Sequence, residues 1–230
     1  MSKRNWKKPL NAFLSAGLIV SLVIPAMPTS VAAATNATDL IISEYIEGTS
    51  YNKAIELYNG TGAEIDLTQY TLEHYNNSGS ATVGTTTTDK SLPLVGTLAT
   101  GETYVVSRAD ADPAILAAVE VNGLLDTTKN VINFNGNDQV VLKKNGVVVD
   151  SIGQVGSVEN ALADVSLVRN GNVLTGDKTV DDAFVKTLEW TDQGKNIFSD
   201  LGKHTFGDST PVDPTEPTTV QTVSASPNAG

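Results

Sequence analysis

Apolar and polar residues alternate between residues 40 and 72, and this pattern predicts neighbouring β-strands. The central one is Lys53-Ala54-Ile55-Glu56-Leu57-Tyr58, and the Asn59-Gly60 pair after it can supply the positive φ of a turn. We expect this strand to be half-buried, because alternation places one face on a core and the other in solvent. The segments 40–46 and 65–72 are spaced to pair with it or to lie beside it. Strands without an intervening helix indicate an antiparallel sheet.

The rest of the domain continues this β pattern. Asn145-Gly146 predicts a type I′ hairpin, whose central residues both need positive φ. One short helix is predicted after Asp112, a good N-cap, with Pro113 at the first helical position. The expected fold is therefore an all-β antiparallel sandwich with one short helix. Further strands are predicted at 91–94, 103–107, 131–134, 139–144, 147–152 and 165–169, and near 188–190.

Both ends of the chain differ from this domain in composition. Residues 1–34 have the basic start, apolar centre and small-residue cleavage site of a signal peptide. A transmembrane anchor is the alternative, but Pro25 and Pro28 interrupt the apolar run. The sandwich is assigned to residues 35–207, a Pro/Thr-rich linker to 208–219, and the start of a further β module to 220–230. We expect an exported N-terminal part of a longer protein, with no membrane span after signal cleavage.

Charge and cysteine content narrow the classes of function. Removing the leader takes away four of the fifteen basic residues and moves the formal charge from −11 to about −15. Such acidity argues against direct binding to nucleic acid. The chain has no cysteine, which excludes disulfides, thiolate nucleophiles and cysteine zinc sites. A secreted or cell-surface protein of a bacterium, most simply a Gram-positive one, fits these features.

Few residues offer catalytic chemistry. His74 and His204 stand apart from any carboxylate at metal-ligand spacing, so each is interpreted as a surface or packing residue. Glu44 and Glu56 lie on neighbouring predicted strands and could face each other, and a pair of acids beside a sugar cleft can cleave glycosidic bonds. The preferred interpretation is that they lie on the solvated face or bond to backbone at the end of the sandwich. Trp190 is expected in the core.

Calcium is the one cofactor that the sequence suggests. Asn135, Asn137 and Asp138 form a short polar loop that resembles part of a calcium loop. The loop lacks the closing glutamate and the further carboxylates of an EF-hand, so a hairpin turn is the alternative. No other cofactor is predicted for this segment.

The order of the segments resembles the lamin-tail domain family. The resemblance implies an immunoglobulin-like β-sandwich. In bacteria such domains accompany extracellular nuclease, 5′-nucleotidase or metallophosphatase domains, and the resemblance brings no catalytic residue to this chain. The matching segments are Leu40-Ile41-Ile42-Ser43-Glu44, Ala54-Ile55-Glu56-Leu57-Tyr58-Asn59, Ile65 to Leu72, Gly101 to Val106, Asn137 to Leu142 and Val149-Asp150-Ser151-Ile152-Gly153.

The leading hypothesis is a noncatalytic secreted accessory domain. It would bind the cell envelope, another extracellular ligand or a substrate, or it would position a catalytic domain further along the chain. The loops 48–52 and 76–89 are the expected contact surfaces, since sandwiches carry variable loops at their ends. The alternative is that the parent chain is a metal-dependent extracellular nuclease or 5′-nucleotidase whose active site lies beyond residue 230. The expected partner is in either case the downstream catalytic domain.

Overall fold

A computed structural model describes residues 36–76 and 90–206 of the chain. The regular elements of these residues are mainly strands, with one helix of nine residues and one of four. The strands are β1 Ile41–Glu47, β2 Lys53–Tyr58, β3 Ile65–Asp66, β4 Tyr70–Tyr75, β5 Ser91–Pro93, β6 Thr97–Leu98, β7 Thr103–Ser107, β8 Gly123–Leu125, β9 Gln139–Lys144, β10 Val147–Ile152, β11 Val165–Arg169 and β12 Trp190–Asp192, and the helices are α1 Pro113–Val121 and α2 Lys186–Glu189.

Two sheets form the sandwich. The larger has the order β12-β11-β1-β2-β7-β8, and the smaller has the order β10-β9-β4-β5. Neighbouring strands are antiparallel except for β7 and β8, which are parallel. The core between the sheets includes Tyr45 and Leu57 from the larger sheet and Leu72 and Leu142 from the smaller. The predicted all-β, immunoglobulin-like sandwich is therefore confirmed.

Strand β2 departs from the prediction in its burial. All six of its residues are buried, including Lys53 and Glu56, so the half-buried strand with a solvated face is wrong. Its outer face packs against α1, where Ala54 joins a second apolar cluster with Ile115. The outer face also lies under residues 196–206, which we call the C-terminal strap and which contribute Phe198 and other residues to that cluster.

The predicted strand at 65–72 is broken in two. Asp66 accepts a hydrogen bond from Thr68 N at 3.0 Å and caps a 3₁₀ turn, Leu67–Gln69. This turn separates β3, which pairs with β6, from β4, which joins the smaller sheet. Only β1 of the two flanking segments therefore pairs with β2. A capped turn inside an alternating pattern leaves the alternation itself almost unchanged, and the break was missed for that reason.

Two further predictions fail and two hold. Val131, Ile132 and Phe134 are buried, but residues 131–134 form no strand, because Asp126 accepts hydrogen bonds from Lys129 N and Ile132 N and closes a loop there. The strand expected near 188–190 begins only at Trp190, after α2. The hairpin at Asn145 and Gly146 is confirmed by φ values of 49° and 82°. The helix α1 is confirmed with its Asp112 cap, which accepts from Ala114 N at 2.9 Å.

Several predictions concern residues outside the described part of the chain. They are the signal peptide at 1–34, all but the first residue of the 76–89 loop, the linker at 208–219 and the further module at 220–230. Within residues 36–76 and 90–206, no helix is long and apolar enough to span a membrane.

Candidate functional site

The two candidate acids of the sequence come together. Glu44 on β1 is the cross-strand partner of Glu56 on β2, and both lie on the outer face of the larger sheet. A register shift between Ile42 and Glu44 in β1 precedes this pair, and such a bulge re-aims the side chains after it. The residues are 2% and 1% exposed, so two carboxyl groups share a desolvated site.

The two carboxyl groups have different partners. Glu56 accepts hydrogen bonds from Ser43 Oγ at 2.7 Å and from Gly202 N at 2.6 Å, and the Lys203 amide also donates to it. Glu44 Oε2 has no hydrogen-bond partner among the described residues. Burial raises the pKa of Glu56 to about 7 although these hydrogen bonds lower it. Burial and then the neighbouring Glu56 raise the pKa of Glu44 to about 9.

The C-terminal strap covers this acid pair. Its start is held by Asn196, which exchanges hydrogen bonds with Thr49, and by Ile197 N, which donates to Ser166 Oγ at 3.1 Å. Glu44 and Glu56 therefore do not lie on a solvated face, and that interpretation is wrong. The other part of that interpretation, bonding to the backbone, is correct for Glu56, which accepts hydrogen bonds from backbone amides. A sugar cannot reach carboxyl groups buried in this way.

The end of the strap is an aromatic cluster. His204 packs edge-on against Tyr58 with ring centroids 4.9 Å apart, and Phe206 packs against the same ring at 5.0 Å. A Cβ on Gly60 would overlap the Phe206 ring, so glycine permits this close approach. Burial lowers the pKa of His204 to about 4. The interpretation of His204 as a packing residue is confirmed.

His74 and the calcium candidates meet at another place, on the inner side of the smaller sheet. His74 Nε2 lies 3.0 Å from Asp138 Oδ2, which also accepts from Asn135 N at 2.8 Å. The Asn137 carbonyl accepts from the side chain of Gln139. Within the described ranges, no group of three or more His, Asp or Glu side chains could hold a metal ion. Calcium at Asn135, Asn137 and Asp138 stays a prediction.

A buried ion pair joins the two sheets, and the sequence pattern alone did not reveal it. Arg169 at the end of β11 is 1% exposed and donates to Asp150 of β10 at 2.6 Å, while its other Nη donates to Glu189 at 2.5 Å. The Arg169 guanidinium also lies 4.8 Å from the ring of Trp190, which is buried in the core as predicted. The sequence did contain one indication of the ion pair, because Asp150 and Arg169 are charged residues at inward-facing positions of their predicted strands.

Near this pair lies a cleft of about 440 Å³, a volume within the range of small-molecule pockets. Apolar side chains such as Phe184 and Leu188 line it together with the carboxylates of Asp177 and Glu189. Burial raises the pKa of Asp177, and the nearby acids raise it further.

The predicted contact loop 48–52 is held rigidly at one end of the sandwich. Gly48 N donates to Asn52 O at 2.8 Å, and Asn52 Oδ1 accepts from Asp112 N at the start of α1. Tyr51 is 47% exposed and lies against the guanidinium of Arg108 at 4.4 Å. An aromatic side chain in a pre-organised loop suits a contact surface, because little conformational freedom remains to be lost on binding.

Two packed sheets, antiparallel except for the β7–β8 pair, define a protein of the immunoglobulin-like sandwich class. Residues 33–156 match the family model described as Lamin Tail Domain. The chain belongs to this family.

Other comparisons add little to this assignment. The chain is similar to a solved structure of a DUF4876 family protein from Bacteroides thetaiotaomicron, with 11% sequence identity and a TM-score of 0.36. The similarity covers 74% of this chain and 72% of that one. No curated protein sequence matches the chain.

Proposed function

We propose that this chain is a noncatalytic, exported accessory domain that supports or positions a catalytic domain further along the same polypeptide. The observation that carries the proposal is the anchoring of the C-terminal strap. Phe206, the last residue that the structure describes, lies against Gly60 and Tyr58 at the end of β2, so the strap is fixed to the sandwich at that point. A module held at a fixed exit suits a role in orienting the next domain of the chain.

The rigid loop with Tyr51 supports a second part of the proposal, a contact with the cell envelope or another extracellular ligand. Exposed tyrosine and arginine side chains are enriched at the energetic centres of interfaces, and here Tyr51 and Arg108 are stacked in advance. The acidity of the whole chain, with a formal charge of −11, favours partners other than nucleic acid.

The nature of the downstream domain is the finer part of the proposal. Bacterial domains of the resembled family accompany extracellular phosphoesterases, so we propose a metal-dependent nuclease or 5′-nucleotidase beyond residue 230. Its metal ligands would lie in that domain, and calcium at Asp138 would be a separate, structural ion. Sequencing the gene downstream of codon 230 tests this directly, since a His- and Asp-rich metal motif is expected there.

A first experiment tests whether the chain itself catalyses hydrolysis. Residues 35–230 are assayed on DNA and on nucleotides with calcium, magnesium and manganese in turn, and no turnover is expected. Turnover that survives both Glu44→Gln and Glu56→Gln would reveal a different active site and contradict the accessory function. A melting curve with and without calcium, recorded on the same sample, tests the ion at Asp138.

A second experiment tests the contact surface. The same protein is sedimented with isolated Gram-positive cell walls, and the bound fraction is expected to fall in Tyr51→Ala. Val147→Ala is the matched control, because Val147 is also a large exposed side chain, 68% accessible, at the β9–β10 hairpin. Equal binding by both variants would remove the loop from the contact surface.

A further inference from the structure

The acid pair under the strap is a feature that the accessory function does not explain. Glu44 and Glu56 are adjacent across two strands and almost fully buried. Like charges at such a distance cannot both be desolvated without a large penalty. The hydrogen bonds distinguish the two acids. Glu56 accepts from Ser43 and from the strap, whereas Glu44 Oε2 accepts a hydrogen bond from no described residue. In the singly protonated pair, Glu56 is therefore the carboxylate and Glu44 the neutral acid.

The charged groups around the pair do not neutralise a second negative charge. On the strap, Asp200 adds to the negative potential at both acids, and Lys203 opposes it at Glu44. From the neighbouring strands the pair faces Val168 on β11 and Val105 on β7, which are apolar. Ionisation of Glu44 would therefore leave two carboxylates and Asp200 against one lysine.

The strap is the exposed part of the surroundings. Gly202 and Lys203 are exposed, and the centre of the strap is tied to the sheet through Glu56. A cavity of about 300 Å³, lined in part by Asp200, Lys203 and His204, already lies beside it. Strands β1 and β2, in contrast, are held by a ladder of six residue pairs. Lifting the strap is consequently the least costly way to hydrate the acids.

We propose that the C-terminal strap is a pH-sensitive latch that stays closed while the Glu44–Glu56 pair holds at least one proton and opens when both groups are ionised. Opening uncovers the strip of the outer face formed by Ile46, Ala54 and Val105 and releases the Phe206 end of the strap. The buried pair sets the direction of the pH dependence. Its carboxyl groups have raised pKa values, about 7 and 9 against an ordinary 4.5, so their contribution to closure is fully present below pH 4.5 and is lost as the pH rises through 7 and 9. His204 on the strap acts at lower pH, because its lowered pKa of about 4 removes its own contribution to closure as the pH falls from 6.5.

Trypsin provides a direct probe, because it cleaves after Lys203 only when the strap leaves the sheet. Residues 35–230 are digested between pH 6 and pH 9, and the rate at Lys203 is divided by that of a free peptide with the strap sequence. In the wild type this ratio is expected to rise by at least about tenfold, since each pH unit below a raised pKa changes the opening equilibrium by up to that factor. Cleavage after the buried Arg169 reports global unfolding and should stay slow.

Two variants make the test specific. Glu44→Gln is permanently neutral, so only Glu56 still titrates and the ratio at Lys203 should stay flat above about pH 7, where the wild-type ratio keeps rising to pH 9. Glu120→Gln is the matched control, because it makes the same substitution at an exposed position on α1. It should behave like the wild type. A flat wild-type profile, an equal rise above pH 7 in Glu44→Gln, or a parallel rise in cleavage after Arg169 would each overturn the latch.

Discussion

Removal of one charge from the buried ion pair should be among the most damaging single changes in this domain. We expect Asp150→Asn to lower the free energy of unfolding by about 3–5 kcal/mol, the range for breaking a buried pair by removing one partner. Small domains are stable by only about 5–15 kcal/mol. The variant would therefore lose between about a fifth and all of its stability.

The hydrogen bonds of Asp150 show why this magnitude applies. Its Oδ2 accepts from Arg169 at 2.6 Å and from Ile42 N at 2.7 Å, and its Oδ1 accepts from Ser151 N and Asp177 N, each at 2.8 Å. Asparagine keeps only one of the two acceptor oxygens, so two of the four donors lose their partner. If the amide faces Arg169, a fully buried guanidinium keeps only its bond to Glu189 and a longer one, 3.3 Å, to the Ile42 carbonyl.

Urea unfolding of residues 35–230, followed by circular dichroism, measures this loss. Asp164→Asn is the matched control. Asp164 pairs with Lys195 at 2.6 Å, but the two side chains are 65% and 41% exposed. Its φ of 58° suits asparagine as well as aspartate, so only the surface ion pair changes. The control should lose less than about 1 kcal/mol. An Asp150→Asn loss as small as that of the control would refute the role assigned to the buried pair.

Three further changes test the close contacts and the acid side of the pH profile. Gly60→Ala should destabilise the protein by about 1–3 kcal/mol through overlap with the Phe206 ring, and the Phe206→Ala background should remove most of that loss in urea titrations. Gly136→Ala should destabilise by at least as much, because its Cβ would overlap the backbone of Ala163, which cannot turn away, and near-neutral unfolding data would contradict this close approach. Burial lowers the pKa of His204 to about 4 from 6.5, so its contribution to stability is present above pH 6.5 and is lost as the pH falls toward 4. Melting temperatures should decline less steeply over that interval in His204→Gln, and an unchanged slope would show that the ring is solvated.

Local pattern was enough to find most strands. Alternation and turn residues located β1, β2, β7, β9, β10 and β11, because these strands express the period of the sheet in their own residues. The same pattern could not show that β2 is buried on both faces. The amide that covers and binds Glu56 belongs to Gly202, 146 residues further along the chain. The sequence around Glu56 contains no indication of this contact.

The site shows the same division between local and distant information. The sequence placed Glu44 and Glu56 on adjacent strands, and the structure makes them direct cross-strand partners. Whether such a pair is solvated, catalytic or buried depends on the segment that lies above it, which alternation does not encode. Asp150 and Arg169 carried a fainter signal. Each occupies an inward-facing position of its strand, but the ion pair between them joins two different sheets.

A chain without cysteine has to join its layers by other means, and here buried charged groups do so. Asp150 ties β10 to β1 through Ile42 N and to β11 through Arg169, and Glu56 ties the C-terminal strap to β2. Unlike disulfides, such ties depend on protonation, and the pair of Glu44 and Glu56 depends on holding at least one proton between two acids. Such a domain combines a stable sandwich with a C-terminal strap whose attachment depends on pH. The Glu44→Gln variant separates these two properties, because it should keep the sandwich intact while removing the response of the strap above about pH 7.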